Sequence, residues 1–140
     1  MKRSSVMRAA ALGVAGSLAL ACAPSEDELA PPAGSREILR APIQAAPGLE
    51  VILSDVVIPP DATVPAHTHP GEELVYVVSG SAVHVEAGKP DRLLKAGDSV
   101  TIAPGAIHAP RGGPEGARAI TLRIHAEGTP ERIPAQGDRP

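Results

Sequence analysis

Aromatic rings are almost missing from this chain. Its 140 residues include no Trp, no Phe and a single Tyr. A stacking platform for bases or sugars is thereby nearly excluded, since each stacked ring needs an aromatic partner. The core has to be built from Val, Ile, Leu and Ala. Cysteine occurs once, which excludes an internal disulfide framework. Basic charge is also short: 13 Lys and Arg stand against 16 Asp and Glu, for a net charge of -3. With no basic stripe, a nucleic-acid partner is not expected. No helical apolar repeat persists for ten residues anywhere between 36 and 126. The length suffices for one domain and not for two. What is abundant is Gly and Pro, 14 and 16, beside 43% hydrophobic residues. That mixture describes short apolar segments joined by many turns, not disorder.

Residues 1–21 read as an export signal. Lys2, Arg3 and Arg8 form a positive start, and Ala9–Ala21 is an uncharged apolar run too short to span a bilayer comfortably. Ala19-Leu20-Ala21 fits a small-x-small cleavage site. The stretch Leu18–Cys22 also resembles the lipobox of bacterial lipoproteins, with Cys22 as the lipidated residue and Ala19 where that motif prefers Leu. Lipidation is the favoured reading, because the only cysteine sits where the apolar run stops and a tether follows it. The resemblance implies more than one acyl chain, which makes a stable anchor, and Ala23 would suit outer-membrane sorting. The expected product is periplasmic, anchored to the bacterial cell envelope, and in contact with the membrane only through Cys22. Loss of residues 1–21 removes three basic residues and no acidic one, leaving 10 against 16, or -6. Residues 22–35 read as a disordered, semi-stiff linker, and residues 127–140 as a tail.

Between linker and tail, residues 36–126 read as one all-β domain. Strands are expected over Arg36–Gln44, Leu49–Ile58, Glu73–Val78, Ser81–Glu86, Arg92–Lys95, Ser99–Ala103 and Ala117–His125. Turn signals separate them, including Pro59-Pro60-Asp61, Pro70-Gly71, Ser79-Gly80 and Pro104-Gly105. Short strands at this spacing suggest a sandwich or barrel.

One constellation carries chemistry. Residues i and i+2 of a strand point to the same face, so His67 and His69 aim two imidazoles at one space. Pro70-Gly71 turns the chain, and Glu73 can return a carboxylate to that space. His108, after the Pro104-Gly105 turn, can add a third imidazole. Three neutral nitrogens and one carboxylate suit a divalent transition metal. The competing reading is a set of hydrogen-bonded remnants in a barrel without metal; the complete donor set favours the metal.

These residues also fit a known pattern. His67, His69, Glu73 and Gly80 match the first cupin motif, His-x-His-x3-Glu-x6-Gly, and Gly97, Gly105 and His108 match the second. Ile38–His125 resembles small single-domain cupins. Three turn positions depart from the pattern: Asp61 where motif one opens with Gly, Ala103 followed by Pro104 where motif two has Pro one position earlier, and Gly112 for its closing Asn. The resemblance implies a double-stranded β-helix, or jelly-roll barrel, with Mn, Fe, Ni, Cu or Zn held by His67, His69, Glu73 and His108. It also implies a homodimer, built on a strand near the start such as Arg36–Gln44. Glu73 is the expected proton acceptor, by analogy with cupin dioxygenases.

The remaining candidates have plainer readings. His84 and His125 alternate with apolar sets and are expected to face outward. Val75 and Val77 share parity with Glu73 and are expected to wall a pocket, whereas Tyr76 belongs to packing or an interface. Glu72 and Arg111 read as solvated charges and Asp98 as a turn residue. The function expected is an exported metal-binding cupin that takes a small organic ligand, with dioxygenase-like chemistry if it is an enzyme. A non-catalytic binding or sensing module is the alternative, and a dimerising envelope scaffold a third.

Overall fold

The structure, a computed structural model, describes residues 31–135. The export signal, Cys22 and the first part of the linker lie outside the described residues. Those described contain no helix. They form β1 (Gly34–Pro42), β2 (Leu49–Ile58), β3 (His67–Thr68), β4 (Glu72–His84), β5 (Arg92–Lys95), β6 (Ser99–Ile102), β7 (Arg111–Ala126) and β8 (Ile133–Pro134). All pairings are antiparallel. One sheet runs β1-β2-β7-β4-β5, with β6 also on β4, and β3 pairs β8. This is the all-β double-stranded β-helix expected from the motifs.

The curl of the barrel comes from β4. Its first half pairs β6 through Glu73–Tyr76 and its second half pairs β5 through Ser81–His84, while β7 runs along its other edge. Register shifts against β7 between Val77 and Ser79 and between Gly80 and Ala82 mark the bend. A bulge of this kind bends a strand and steepens its twist. Gly80 sits there with φ +69°, and a Cβ on it would stand 2.2 Å from the Gly116 carbonyl oxygen. The Ser79-Gly80 signal is thus a bend inside one long strand rather than a break between two.

The bend also reverses parity. Glu73, Val75 and Val77 face inward before it; Ala82 and His84, followed by Glu86, face inward after it. The outward orientation expected for His84 is therefore corrected: its side chain is buried and faces the barrel interior. His125 is corrected in the same way. On β7 the inward set is Ala117, Ala119, Thr121, Arg123 and His125, whereas Ile120, Leu122 and Ile124 lie half-buried on the outer face. The apolar set was expected to mark the interior, as in a solid core. Here the interior holds a polar site, so the polar set turns in and the aliphatic set covers the outside of the sheet.

The three motif departures have local explanations. Asp61 has φ +56°, a left-handed conformation that Asp tolerates better than most residues. It stands where the cupin pattern has Gly. The Ala106 amide bonds the Ala103 carbonyl across Pro104-Gly105, with Gly105 at φ +75°, which are the central residues of a type II turn. Gly112 lies so close to the preceding loop that a Cβ would stand 2.2 Å from the Pro59 carbonyl oxygen.

Residues 127–135, expected as a tail, are packed back on the barrel. Ile133 and Pro134 pair with Thr68 and His67, and the Ala135 amide donates to the Ala66 carbonyl at 3.0 Å.

Candidate metal centre

Main-chain pairing brings the imidazoles together. The His67 amide donates to the His108 carbonyl at 3.0 Å, and the His108 amide returns the bond to His67 at 2.9 Å. Their ring centroids are 4.2 Å apart. His69, two residues along, places its ring 5.0 Å from His67 and 5.3 Å from His108. One nitrogen from each ring lies within 4.8 Å of the others, and all three residues are buried.

Each ring is also fixed in tautomer. The Nδ1–H groups of His67 and His108 donate to the Pro65 and Ala106 carbonyls at 2.8 and 3.0 Å, and that of His69 to the Glu131 carbonyl. A carbonyl can only accept, so Nδ1 carries the proton and Nε2 keeps its lone pair. Hydrogen bonds of this kind commonly orient metal-ligating histidines. Burial pushes His67 down to about 4 and lowers His69 as well. Both rings are therefore neutral at pH 7, the form a metal requires.

Glu73 lies directly opposite Arg123 on β7. Its Oε1 accepts from Arg123 Nε and Nη2 at 2.9 Å each. Its Oε2 stands 3.4 Å from His69 Nε2 and 3.3 Å from His108 Nε2. Burial alone would raise the Glu73 carboxyl. The Arg123 guanidinium bonded to Oε1 outweighs it, and Glu73 is held at about 2. Glu73 is thus an anion across the useful pH range.

The donor set fits a divalent transition metal. Three imidazole nitrogens converge, Glu73 Oε2 lies beside His69 and His108 but outside that cluster of three, and His69 Nε2 is buried with no hydrogen-bond partner. An orphaned buried acceptor is costly unless something fills the position.

A cavity of about 340 Å³ adjoins the cluster, within the range of small-molecule sites. Its body is aliphatic, including Val56, Ile58, Val75, Val77, Leu94 and Ile102, so Val75 and Val77 form the wall expected of them. Tyr76 lies outside, half-exposed. Asp98 accepts from the Lys95 amide at 2.8 Å in its turn, and Glu72 and Arg111 are exposed.

Several residues at the site were not anticipated. Arg123 and Glu131 pair with one another beside Glu73, and Arg132 donates to the Pro65 carbonyl at 2.9 Å. His84 lines the cavity with its ring 6.3 Å from His108, and its Nε2–H donates to the buried Glu86 carboxylate at 3.0 Å. The usable signal was the polar half of each alternating strand, Thr121-x-Arg123-x-His125 and His84-x-Glu86. Nothing in the sequence pointed to Glu131 or Arg132.

Comparison with known proteins agrees with this architecture. Residues 54–122 match the family model described as "Cupin domain". No curated protein sequence matches the chain. An uncharacterized conserved protein with a double-stranded β-helix domain from Klebsiella pneumoniae superposes with TM-score 0.58 at 24% identity, over 82% of this chain and 97% of that one. The DMSP lyase DddQ from Ruegeria pomeroyi gives TM-score 0.59 at 23% identity over 75% of this chain and 53% of that one. A cupin-like protein from Thermotoga maritima is 32% identical over 56% of this chain and 65% of that one, with TM-score 0.49. The chain thus spans about half the length of the lyase and just under two thirds of the Thermotoga protein. Residues 54–122 thus resemble a cupin domain in motif spacing, in fold and in the family model they match.

Proposed function

We propose that this protein is an exported, lipid-anchored cupin that holds one divalent transition metal through His67, His69, His108 and Glu73 and binds a small oxygenated organic molecule in the adjoining cavity. The observation that carries the reading is the convergence of three imidazoles, each turned by a backbone carbonyl, with His69 Nε2 buried and unpartnered. Bound there, the metal supplies Lewis acidity that polarises ligand oxygens. The chain supplies the rest. The aliphatic wall excludes water and fits an apolar ligand body, and His84, steadied by Glu86, offers Nδ1 as an acceptor to a ligand group at the cavity wall.

As an enzyme it would carry out dioxygenase-like chemistry. Glu73 would accept the proton only on leaving Arg123, which holds it as an anion. That same hold favours the second reading, a binding or sensing module without turnover. Metal analysis of the purified protein, followed by oxygen uptake with catechols, diketones and flavonols, separates the two. One metal per chain with uptake supports the enzyme. One metal with saturable ligand binding and no product supports the module. No metal under any loading condition rejects the metal reading altogether. If uptake occurs, a Glu73→Gln variant that keeps metal and full turnover removes the proton-acceptor role.

Membrane attachment through Cys22 rests on the lipobox-like stretch, and a Cys22→Ser variant should move from the membrane to the soluble fraction. A homodimer is supported by the outer sheet face. There Leu39, Leu53, Leu122 and Leu74 lie on adjacent strands in register, with Tyr76 beside Ile120. Leu39, Leu74 and Tyr76 are 49%, 41% and 52% exposed, and apolar patches of this kind mark association surfaces.

A further inference from the structure

The histidine that completes the triad is held from the far end of the chain. His69 Nδ1–H donates to the Glu131 carbonyl, 62 positions away, whereas His67 and His108 each use a carbonyl two residues back. Glu131 also acts through its side chain. Its carboxylate pairs with buried Arg123, and Arg123 clamps Oε1 of Glu73. One residue therefore fixes two of the four donors by separate routes. It also balances the guanidinium charge, which would otherwise oppose a cation. The neighbouring residues hold the segment down: Arg132 donates to the Pro65 carbonyl, Ile133 and Pro134 pair with the strand that carries His67, and the Ala135 amide bonds Ala66.

We propose that residues 131–135 form a strap that belongs to the metal site, with Glu131 as its positioning residue, so that strap docking and metal binding strengthen one another. Such reciprocity follows from linkage: what binds only the ordered site also favours the docked strap. The inference rests on the metal reading for its affinity arm and not for its tautomer arm.

The test uses the full chain and its Glu131→Ala, Glu131→Gln and Arg132→Ala variants. In metal-free protein, histidine ring nitrogen NMR should show His69 as the Nδ1–H form in the parent. Glu131→Ala keeps the backbone carbonyl that His69 bonds and should keep that signature, whereas a chain ending at Pro130 should show a tautomer mixture at His69 with His108 unchanged. Chelator competition with Zn²⁺ should show affinity falling roughly 10–100-fold, the usual cost of losing an outer-shell partner. Glu131→Gln, which can still bond Arg123, should recover part of it. Arg132→Ala should speed hydrogen exchange at the Ala135 amide, and saturating Zn²⁺ should slow it again. An unchanged His69 signature in the chain ending at Pro130, or equal Zn²⁺ affinity in parent and Glu131→Ala, overturns the proposal. If the parent binds no Zn²⁺ yet the His69 signature shifts, the metal reading fails and the positioning role of Glu131 stands.

Discussion

Folding alters the ionisation of His67 strongly. Burial lowers it to about 4 from an ordinary 6.5, so the unfolded chain binds a proton between those values that the folded chain refuses. Stability rises with pH wherever the unfolded state binds more protons. The His67 contribution is therefore complete above about pH 6.5 and lost as pH falls toward 4. Glu73, held at about 2 against 4.5, adds a second loss below pH 4.5. The metal-free protein should keep a flat Tm above pH 7 and drop by about 5–10 °C between pH 7 and pH 4, read by calorimetry. The same protonation competes with metal, so metal affinity should fall over the same interval. A His67→Gln variant should show a shallower Tm slope between pH 6.5 and 4. A parent whose Tm is unchanged down to pH 4 would show that the His67 ring is not desolvated.

At the scale of elements, the account turns on the bend in β4. Gly80 combines a left-handed backbone with a carbonyl 2.2 Å from any added Cβ. Gly80→Ala should cost about 3 kcal/mol in denaturant unfolding, from backbone strain plus displacement of the Gly116 strand. Gly88 has a similar φ of +76° but open space around it, so Gly88→Ala should cost only about 1 kcal/mol. Equal losses at the two sites would remove the close approach as an explanation.

That bend also shows what was legible in the sequence. The strands β2, β5 and β6 follow from alternation and turn residues, and the four donor positions follow from motif spacing. Parity across Ser79-Gly80 does not, because a bulge shifts the period by an amount no composition records. Alternation with Val83 and Val85 points His84 outward for want of that information. His125 is pointed outward by the aliphatic set Ile120, Leu122 and Ile124, whereas on β7 it is Thr121, Arg123 and His125 that turn inward. The Glu131 contact is out of reach for another reason: Glu131 accepts from His69 through its backbone carbonyl, which every residue type possesses.

For the whole molecule, two surfaces of different character are expected to carry function. The outer sheet face should hold two copies together. Light scattering should report a dimer for the parent and a folded monomer for a Leu74→Asp, Tyr76→Asp double variant; a monomeric parent would reject that interface. The interior should hold the ion. A metal that binds only the folded state stabilises it by about 2.7 kcal/mol at a free concentration 100 times its Kd. The most direct measurement is metal stoichiometry by mass spectrometry on the parent and on His67→Gln, His69→Gln and His108→Gln, each after loading with Mn²⁺, Fe²⁺, Ni²⁺, Cu²⁺ and Zn²⁺. One tightly held ion per parent chain, lost in all three variants while each remains folded, is the result expected. A parent that retains no ion after every loading, or variants that retain it in full, would contradict the account.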